Sequence, residues 1–275
     1  MATGPGARRR EGVFVSKTAL ITGASGGIGY ELALLFARDG FDCILVARSQ
    51  DKLKELATRL ETERRVRTLV IAKDLSKASA VDEIYEEITA AGLAVDVLVN
   101  NAGFPVFGLF VETDLQTELE MLQVNVMALT ALTKLFVKGM VERRAGRILN
   151  LASTAAFEPG PLMAVYYASK AYVLSFSEAL ANELRGTGVT VTALAPGPTR
   201  TGFQKRGVME DSRLVQGNIA DAASVALAGY RGLMAGKTIV IPGFSNKLIP
   251  WVVRLSPRGA VTRVVRRMQE RTPQR

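Results

Sequence analysis

The chain is expected to fold as one α/β domain, a doubly wound parallel sheet of about seven strands with helices on both faces. Three observations predict this. Short apolar runs alternate with helical patterns along most of the 275 residues, and such alternation builds a parallel sheet flanked by helices. Several of these runs are almost continuously apolar, as strands buried on both faces are. A glycine-rich turn joins the first run to the first helical segment. The length suits one large unit better than two, and a hydrophobic content of 48% supplies a sizeable core.

In order, strands are expected at 17–22, 42–47, 66–72, 95–99, 146–151, 189–195 and 238–241. Helices are expected at 27–39, 50–64, 77–91, 115–141, 164–186 and 221–235. Pro159, Pro161, Pro196 and Pro198 mark loops where strands end. No internal repeat or low-complexity linker occurs. The chain divides into a basic N-terminal tail (1–14), a main domain (15–246) and a basic extension (247–275). Gly23, Arg48, Asp74, Asn101, Ser153 and Pro196 all fall at carboxyl ends of strands, where sheets of this type bind ligands.

Two clusters carry chemistry. The first strand runs into Gly23-Ala24-Ser25-Gly26-Gly27-Ile28-Gly29 and then into a helix. Glycines let a backbone approach a pyrophosphate, and the helix N-terminus offers N–H groups and a positive dipole end. The spacing, Gly23-x-x-x-Gly27-x-Gly29, differs from the standard dinucleotide fingerprint. The second cluster is Tyr166 and Lys170, four residues apart on one helical face, with Ser153 upstream. The chain contains no histidine, so imidazole chemistry is excluded. An ammonium beside a phenol is expected to lower the tyrosine pKa toward working pH. With one cysteine, Cys43, an internal disulfide is impossible and a structural zinc site is excluded. Cys43 lies in an apolar strand and is expected to be inert.

Together these motifs resemble the classical short-chain dehydrogenase/reductase family. Thr22-Gly23-x-x-x-Gly27-x-Gly29, Asn100-Asn101-Ala102-Gly103, Asn125, Ser153, Tyr166-x-Ala168-Ser169-Lys170 and Pro196-Gly197-x-x-x-Thr201 match its motifs in order. The resemblance runs from about residue 15 to 243 and implies a Rossmann-type fold. It also implies hydride transfer between a nicotinamide and a carbonyl or secondary alcohol. Tyr166 would be the general acid/base, and Ser153 would hold the substrate oxygen. Lys170 would contact the nicotinamide ribose, and Asn125 would shape a helix bend and support a proton-refilling water chain. Tyr167 is expected to point away from the site. Cofactor contacts are implied for Gly23, Ser25, Gly27, Ile28, Gly29, Arg48, Asp74, Leu75, Asn101, Ala102, Gly103, Tyr166, Lys170, Pro196, Gly197, Thr199 and Thr201. Asp74 matches an adenine contact and could also cap the following helix. The segment 200–218 matches the family's substrate lid. Homodimers or homotetramers through the helices near 115–141 and 164–186 are implied as well.

Cofactor choice follows from the second strand. It ends in Arg48-Ser49 with no carboxylate at that end, and an arginine there suits the 2′-phosphate of NADP rather than the free 2′-hydroxyl of NAD. Around the reacting centre the expected residues are mostly apolar: Phe104, Pro105, Phe107, Ala155, Phe157, Leu162 and Phe203, with Ser153 as the polar contact. A lipophilic ketone, aldehyde or alcohol fits them. A catalytically idle NADP-binding sensor and a membrane-surface lipid-modifying reductase are the alternatives.

The net charge of +9 is uneven. Residues 247–275 hold eight Lys/Arg and one Glu, and residues 1–11 hold three Arg and one Glu, which leaves 12–246 neutral. In the extension, Leu248, Trp251, Val252 and Leu255 follow helical spacing. After Ser256-Pro257-Arg258-Gly259, the residues Val261, Val264, Val265 and Met268 resume it opposite Arg263, Arg266, Arg267 and Glu270. Such a segment can pack on its own domain or a second subunit, lie on an anionic membrane, or bind nucleic acid. No run of eighteen apolar residues suggests a membrane span, and residues 1–10 lack the apolar core of a secretory signal. A cytoplasmic location is expected, with peripheral membrane contact through the extension as the alternative.

Overall fold

A computed structural model of the chain describes residues 16–201 and 219–270. Phe203 and nearly all of the expected lid lie outside the described residues. The strands are β1 (Thr18–Thr22), β2 (Asp42–Ala47), β3 (Thr68–Ala72), β4 (Val97–Asn100), β5 (Gly146–Leu151), β6 (Val189–Leu194), β7 (Thr199–Arg200), β8 (Ala220–Asp221) and β9 (Ile239–Val240). Seven of them form one parallel sheet in the order β3-β2-β1-β4-β5-β6-β9, and β7 pairs with β8 separately. The order reverses between β1 and β4, which opens a crevice above their carboxyl ends.

The strands are apolar on both faces because both faces are covered. Leu20, Ile44, Leu98 and Ile148 point into one layer of core, and Ile21, Leu45, Val99 and Leu149 into the other. The first layer meets α3 (Ala80–Ala90), α4 (Leu115–Leu122) and α5 (Leu129–Glu142) through Ile84, Met121, Phe136 and Met140. The second meets α1 (Gly27–Arg38) and α2 (Gln50–Arg64) through Leu32, Phe36, Leu53 and Leu56. The long helix α6 (Ala164–Glu183) packs on β6 and carries Tyr166 and Lys170, while α7 (Ala222–Met234) packs beside α1. Helix α3 begins at Ala80 with Ser79 before it, so Asp74 does not cap it. The Asp74 carboxylate instead accepts from Ser76 N–H at 3.0 Å, closing a turn at the end of β3.

Helices α4 and α5 are joined by a π-helical turn, Gln123–Ala128, with Asn125 inside it. The combined stretch, Leu115–Glu142, is long and apolar enough to cross a membrane, although it contains no unbroken run of eighteen apolar residues. Its Met121, Val124, Leu132 and Phe136 pack into the sheet core, which accounts for its hydropathy. Cys43 is buried in β2, and burial pushes its thiol up to about 12, so it stays protonated at neutral pH.

The extension forms α8 (Ile249–Leu255) and α9 (Arg258–Gln269). Val261, Val265 and Gln269 of α9 are buried, and both valines join the core. Val264 and Met268, expected on the same face, are about half exposed. The buried stripe is therefore the narrower i, i+4, i+8 line.

A seam of side-chain hydrogen bonds ties the middle strands to their helices. Asn100 on β4 donates to Thr133 on α5 (3.0 Å) and to Asn150 on β5 (2.9 Å). Asn150 in turn donates to Ser177 on α6 (2.9 Å). All four residues are buried, so each lost partner leaves a polar group stranded away from water. Asn150→Ala should lower the unfolding free energy by about 2–4 kcal/mol in urea titrations. A loss under about 0.5 kcal/mol, the usual range of a surface change, would show that the seam carries no weight.

Candidate active site

The strand ends and α6 surround a cleft of about 790 Å³. Its floor is built where β1 meets β4. The Thr22 hydroxyl donates to the Val99 carbonyl (3.1 Å) and accepts from the N–H groups of Asn101 and Ala102 (3.0 Å each). The Asn101 amide donates back to the carbonyls of Thr22 (2.9 Å) and Gly23 (3.2 Å). This lock shapes the glycine turn. Gly23 has a left-handed φ of +67°, and a Cβ there would lie 2.6 Å from the Asn101 amide nitrogen. A Cβ on Gly29 would collide with the Gly23 carbonyl oxygen. The turn thus stays thin, and the N-terminus of α1 faces the cleft with N–H groups that have no partner within the helix.

The far end of the cleft holds the serine, tyrosine and lysine singled out in the sequence. Ser153, Tyr166 and Lys170 all line it. Lys170 is almost fully buried and donates from Nζ to the Leu151 carbonyl at 2.7 Å. Its Nζ lies 5.8 Å from the centre of the Tyr166 ring. Asn125 stands behind the cleft rather than in its wall. Its carboxamide accepts from Phe104 N–H and donates to Phe104 C=O (3.1 Å each), and also donates to Ser169 (3.2 Å). The Ser169 hydroxyl donates to the Tyr166 carbonyl at 2.6 Å. The π turn therefore fixes both the loop after β4 and the helix bearing Tyr166.

Burial decides the protonation states here. It pushes Lys170 down to about 8. It also lifts the Tyr166 phenol well above its ordinary value, with the Ser153 hydrogen bond working against the rise. The expected lowering of the Tyr166 pKa is not what this arrangement gives. The ammonium is spent on the Leu151 carbonyl, and removal of the phenol from water outweighs its neighbour.

Of the implied cofactor residues, all but Gly29 line the cleft, and Gly29 sits directly behind Gly23. Arg48 stands at the opposite end of the cleft from Tyr166, 4.0 Å from Asp74, with Ser49 and Lys52 beside it. Of the substrate candidates, Phe104, Ser153 and Ala155 line the cleft. Phe107 packs against the core, and Phe157 faces a separate small depression beside Trp251. Tyr167 does not point away. It lines the cleft, and its hydroxyl accepts from Gln269 Nε2 at 2.5 Å. Glu158, Met163, Asn246, Ile249 and Met268 complete the wall. Burial raises the Glu158 carboxyl above its ordinary value. The helical pattern of the extension was readable from the sequence, but nothing local linked Ile249, Met268 or Gln269 to a site some hundred residues earlier.

A proton-linkage measurement checks this environment. Between about 8 and the ordinary 10.5, the unfolded chain keeps a proton that folded Lys170 has lost. The unfolded state binds more protons there, so this group's contribution to stability rises with pH across that window. Parallel denaturation of the wild type and Lys170→Met should show their stability difference moving in favour of the wild type above about pH 8. A difference independent of pH would contradict a buried ammonium.

The comparisons with known proteins agree with this geometry. The family model for short chain dehydrogenases matches residues 17–211. The very-long-chain 3-oxoacyl-CoA reductase of Rattus norvegicus is 38% identical over 184 residues, 65% of this chain and 58% of that protein. The chain therefore spans under two thirds of the length of that relative. A short-chain dehydrogenase from Sphingobium yanoikuyae, solved with NADPH, shares 30% identity with a TM-score of 0.79, covering 94% of this chain and 98% of that one. A bulky-bulky ketone specific alcohol dehydrogenase from Comamonas testosteroni shares 31% identity with a TM-score of 0.74, covering 83% and 86%. With the motifs, the sheet order and the cleft in agreement, the chain belongs to the short-chain dehydrogenase family of oxidoreductases.

Proposed function

We propose that the protein is an NADP-dependent oxidoreductase that reduces a lipophilic carbonyl, or oxidises the matching alcohol, with Tyr166 as general acid/base. The observation that carries this reading is the meeting of Ser153, Tyr166 and Lys170 in the same cleft as the glycine turn. The residues present fit a nicotinamide dinucleotide. The turn is held thin, because a Cβ at Gly23 or Gly29 would collide with Asn101 and with the turn's own backbone, and Arg48, Ser49 and Lys52 gather at the other end beside the N-terminus of α2. That end favours a phosphate on the adenosine ribose. The cofactor would supply the hydride. The chain would supply the rest. Ser153 would orient the substrate oxygen, and Tyr166, kept protonated by its burial, would give that oxygen its proton. Lys170 and the backbone held by Asn125 would keep the phenol in place.

Lipophilic substrates are supported by Phe104, Ala155, Met163, Ile249 and Met268 in the wall. They are also supported by the ketone and acyl substrates named for two of the relatives. Glu158 is the exception in that wall and would disfavour a substrate with a carboxylate near the carbonyl. Self-association through α4–α6 is supported by the exposed Leu115, Leu119, Met127 and Tyr172.

Three outcomes are expected. Turnover of NADPH with a panel of apolar ketones and aldehydes should fall by about 10²–10⁴-fold in Tyr166→Phe, the usual loss on removing a positioned acid. Full activity in that variant would end the assignment of Tyr166, and tight NADPH binding without turnover of any carbonyl would favour the sensor reading. Arg48→Ala should raise KM for NADPH about 10–100-fold, the worth of a charge-assisted hydrogen bond, and leave KM for NADH nearly unchanged. Equal effects on both cofactors would contradict a 2′-phosphate contact. Because burial raises the Tyr166 pKa, its acid form persists through neutral pH. The reduction rate should therefore stay level from weakly acid to weakly alkaline buffer, while alcohol oxidation rises with pH. A reduction rate that already falls through neutrality would show a phenol of lowered pKa.

A further inference from the structure

The two helices of the extension are both amphipathic, yet only α9 has its apolar line covered. On α8 and the turn before it, Phe244, Leu248, Trp251, Val252 and Leu255 form one helical stripe. Each of these side chains is 51–83% exposed. Among the described residues nothing covers this stripe, and a contiguous apolar strip of this kind marks an interaction surface. Lys247 and Arg254 stand beside Trp251 at the edge of the stripe. From residue 222 to residue 269 the sequence contains eight basic residues and no acidic one.

We infer that this stripe docks on an anionic lipid bilayer, with Phe244, Leu248, Trp251 and Leu255 in the interfacial layer and Lys247, Arg254 and Arg258 among the headgroups. Charge selects this occupant. A second copy of the chain would set the same cations against one another across a two-fold contact, and a polyanion such as nucleic acid gives the apolar stripe no partner. Tryptophan beside lysine and arginine is the composition that settles at the membrane interface. The surface is continuous with the cleft, because Asn246 and Ile249 on the same segment line its wall. A docked molecule therefore opens its cleft close to the lipid. This surface stands apart from the reaction proposed above, and its test reads binding rather than turnover.

Trp251 is the only tryptophan of the chain, so it reports on its own surroundings. The full-length protein should show a blue shift of tryptophan emission, and should co-sediment, with vesicles of phosphatidylcholine and phosphatidylglycerol but not with phosphatidylcholine alone. Added salt should reverse both. Lys247→Gln with Arg254→Gln should weaken partitioning about thirtyfold, since each cation near an anionic surface contributes about a factor of five. Leu248→Glu with Leu255→Glu should abolish the shift and leave thermal melting and NADPH binding in solution intact. Emission unchanged by anionic vesicles, with the protein left in the supernatant, would overturn the inference. So would a blue-shifted emission without lipid that depends on protein concentration, which would assign the stripe to a second copy. A shift produced by an oligonucleotide and not by vesicles would overturn it in favour of nucleic acid.

Discussion

The constraint on which the site depends is the burial of the Lys170 ammonium. A long cation taken out of water must find fixed partners or lose its proton. Its described partner is the Leu151 carbonyl, the last of β5 before the loop that carries Ser153. One hydrogen bond therefore ties the helix holding Tyr166 to the strand end holding Ser153. The charge is held at the cost of a lowered pKa, so the position is poised rather than relaxed. Strained or costly groups of this kind concentrate where function needs them.

Everything around that bond fixes its geometry. The π turn lies between α4 and α5 where Asn125 reaches both the loop after β4 and Ser169. Such turns inside helices occur frequently at functional sites. Below the cleft, the Asn100–Asn150 pair bridges β4 and β5, and it reaches α5 through Thr133 and α6 through Ser177. Polar side chains in the middle of a parallel sheet are expensive, and here they hold the two central strands and two helices in one register. At the other end, Thr22 and Asn101 do the same for β1 and β4. The cleft is thus framed by hydrogen bonds that the apolar core alone could not direct.

Much of this was legible from the residues. The near-continuous apolar runs gave the strand positions to within a few residues, because burial on both faces removes the ambiguity of alternation. Glycines at 23, 27 and 29 marked the turn, because only glycine leaves room there. The spacing of Tyr166 and Lys170 placed them on one helical face. What could not be read depended on contacts distant in sequence. Tyr167 enters the cleft because Gln269, about a hundred residues later, holds its hydroxyl. Phe157 faces away because Ile239, Ile241 and Trp251 form a separate depression for it. The Tyr166 pKa moved opposite to the expectation because pairwise proximity is visible in a sequence and desolvation is not. The two halves of the extension share one pattern, yet α9 is buried and α8 is not; periodicity reports a face, not what covers it.

The central claim is that the cleft joins a hydride donor to a carbonyl held by Ser153 and protonated by Tyr166. It is tested most directly by following the hydride itself. NADPH deuterated at the transferring position of the nicotinamide would be incubated with the protein and an apolar ketone, and the alcohol product analysed by mass spectrometry and NMR. One deuterium on the former carbonyl carbon, with the hydroxyl proton drawn from solvent, is the expected result. Alcohol formed without the label, or cofactor consumed without labelled alcohol, would contradict it.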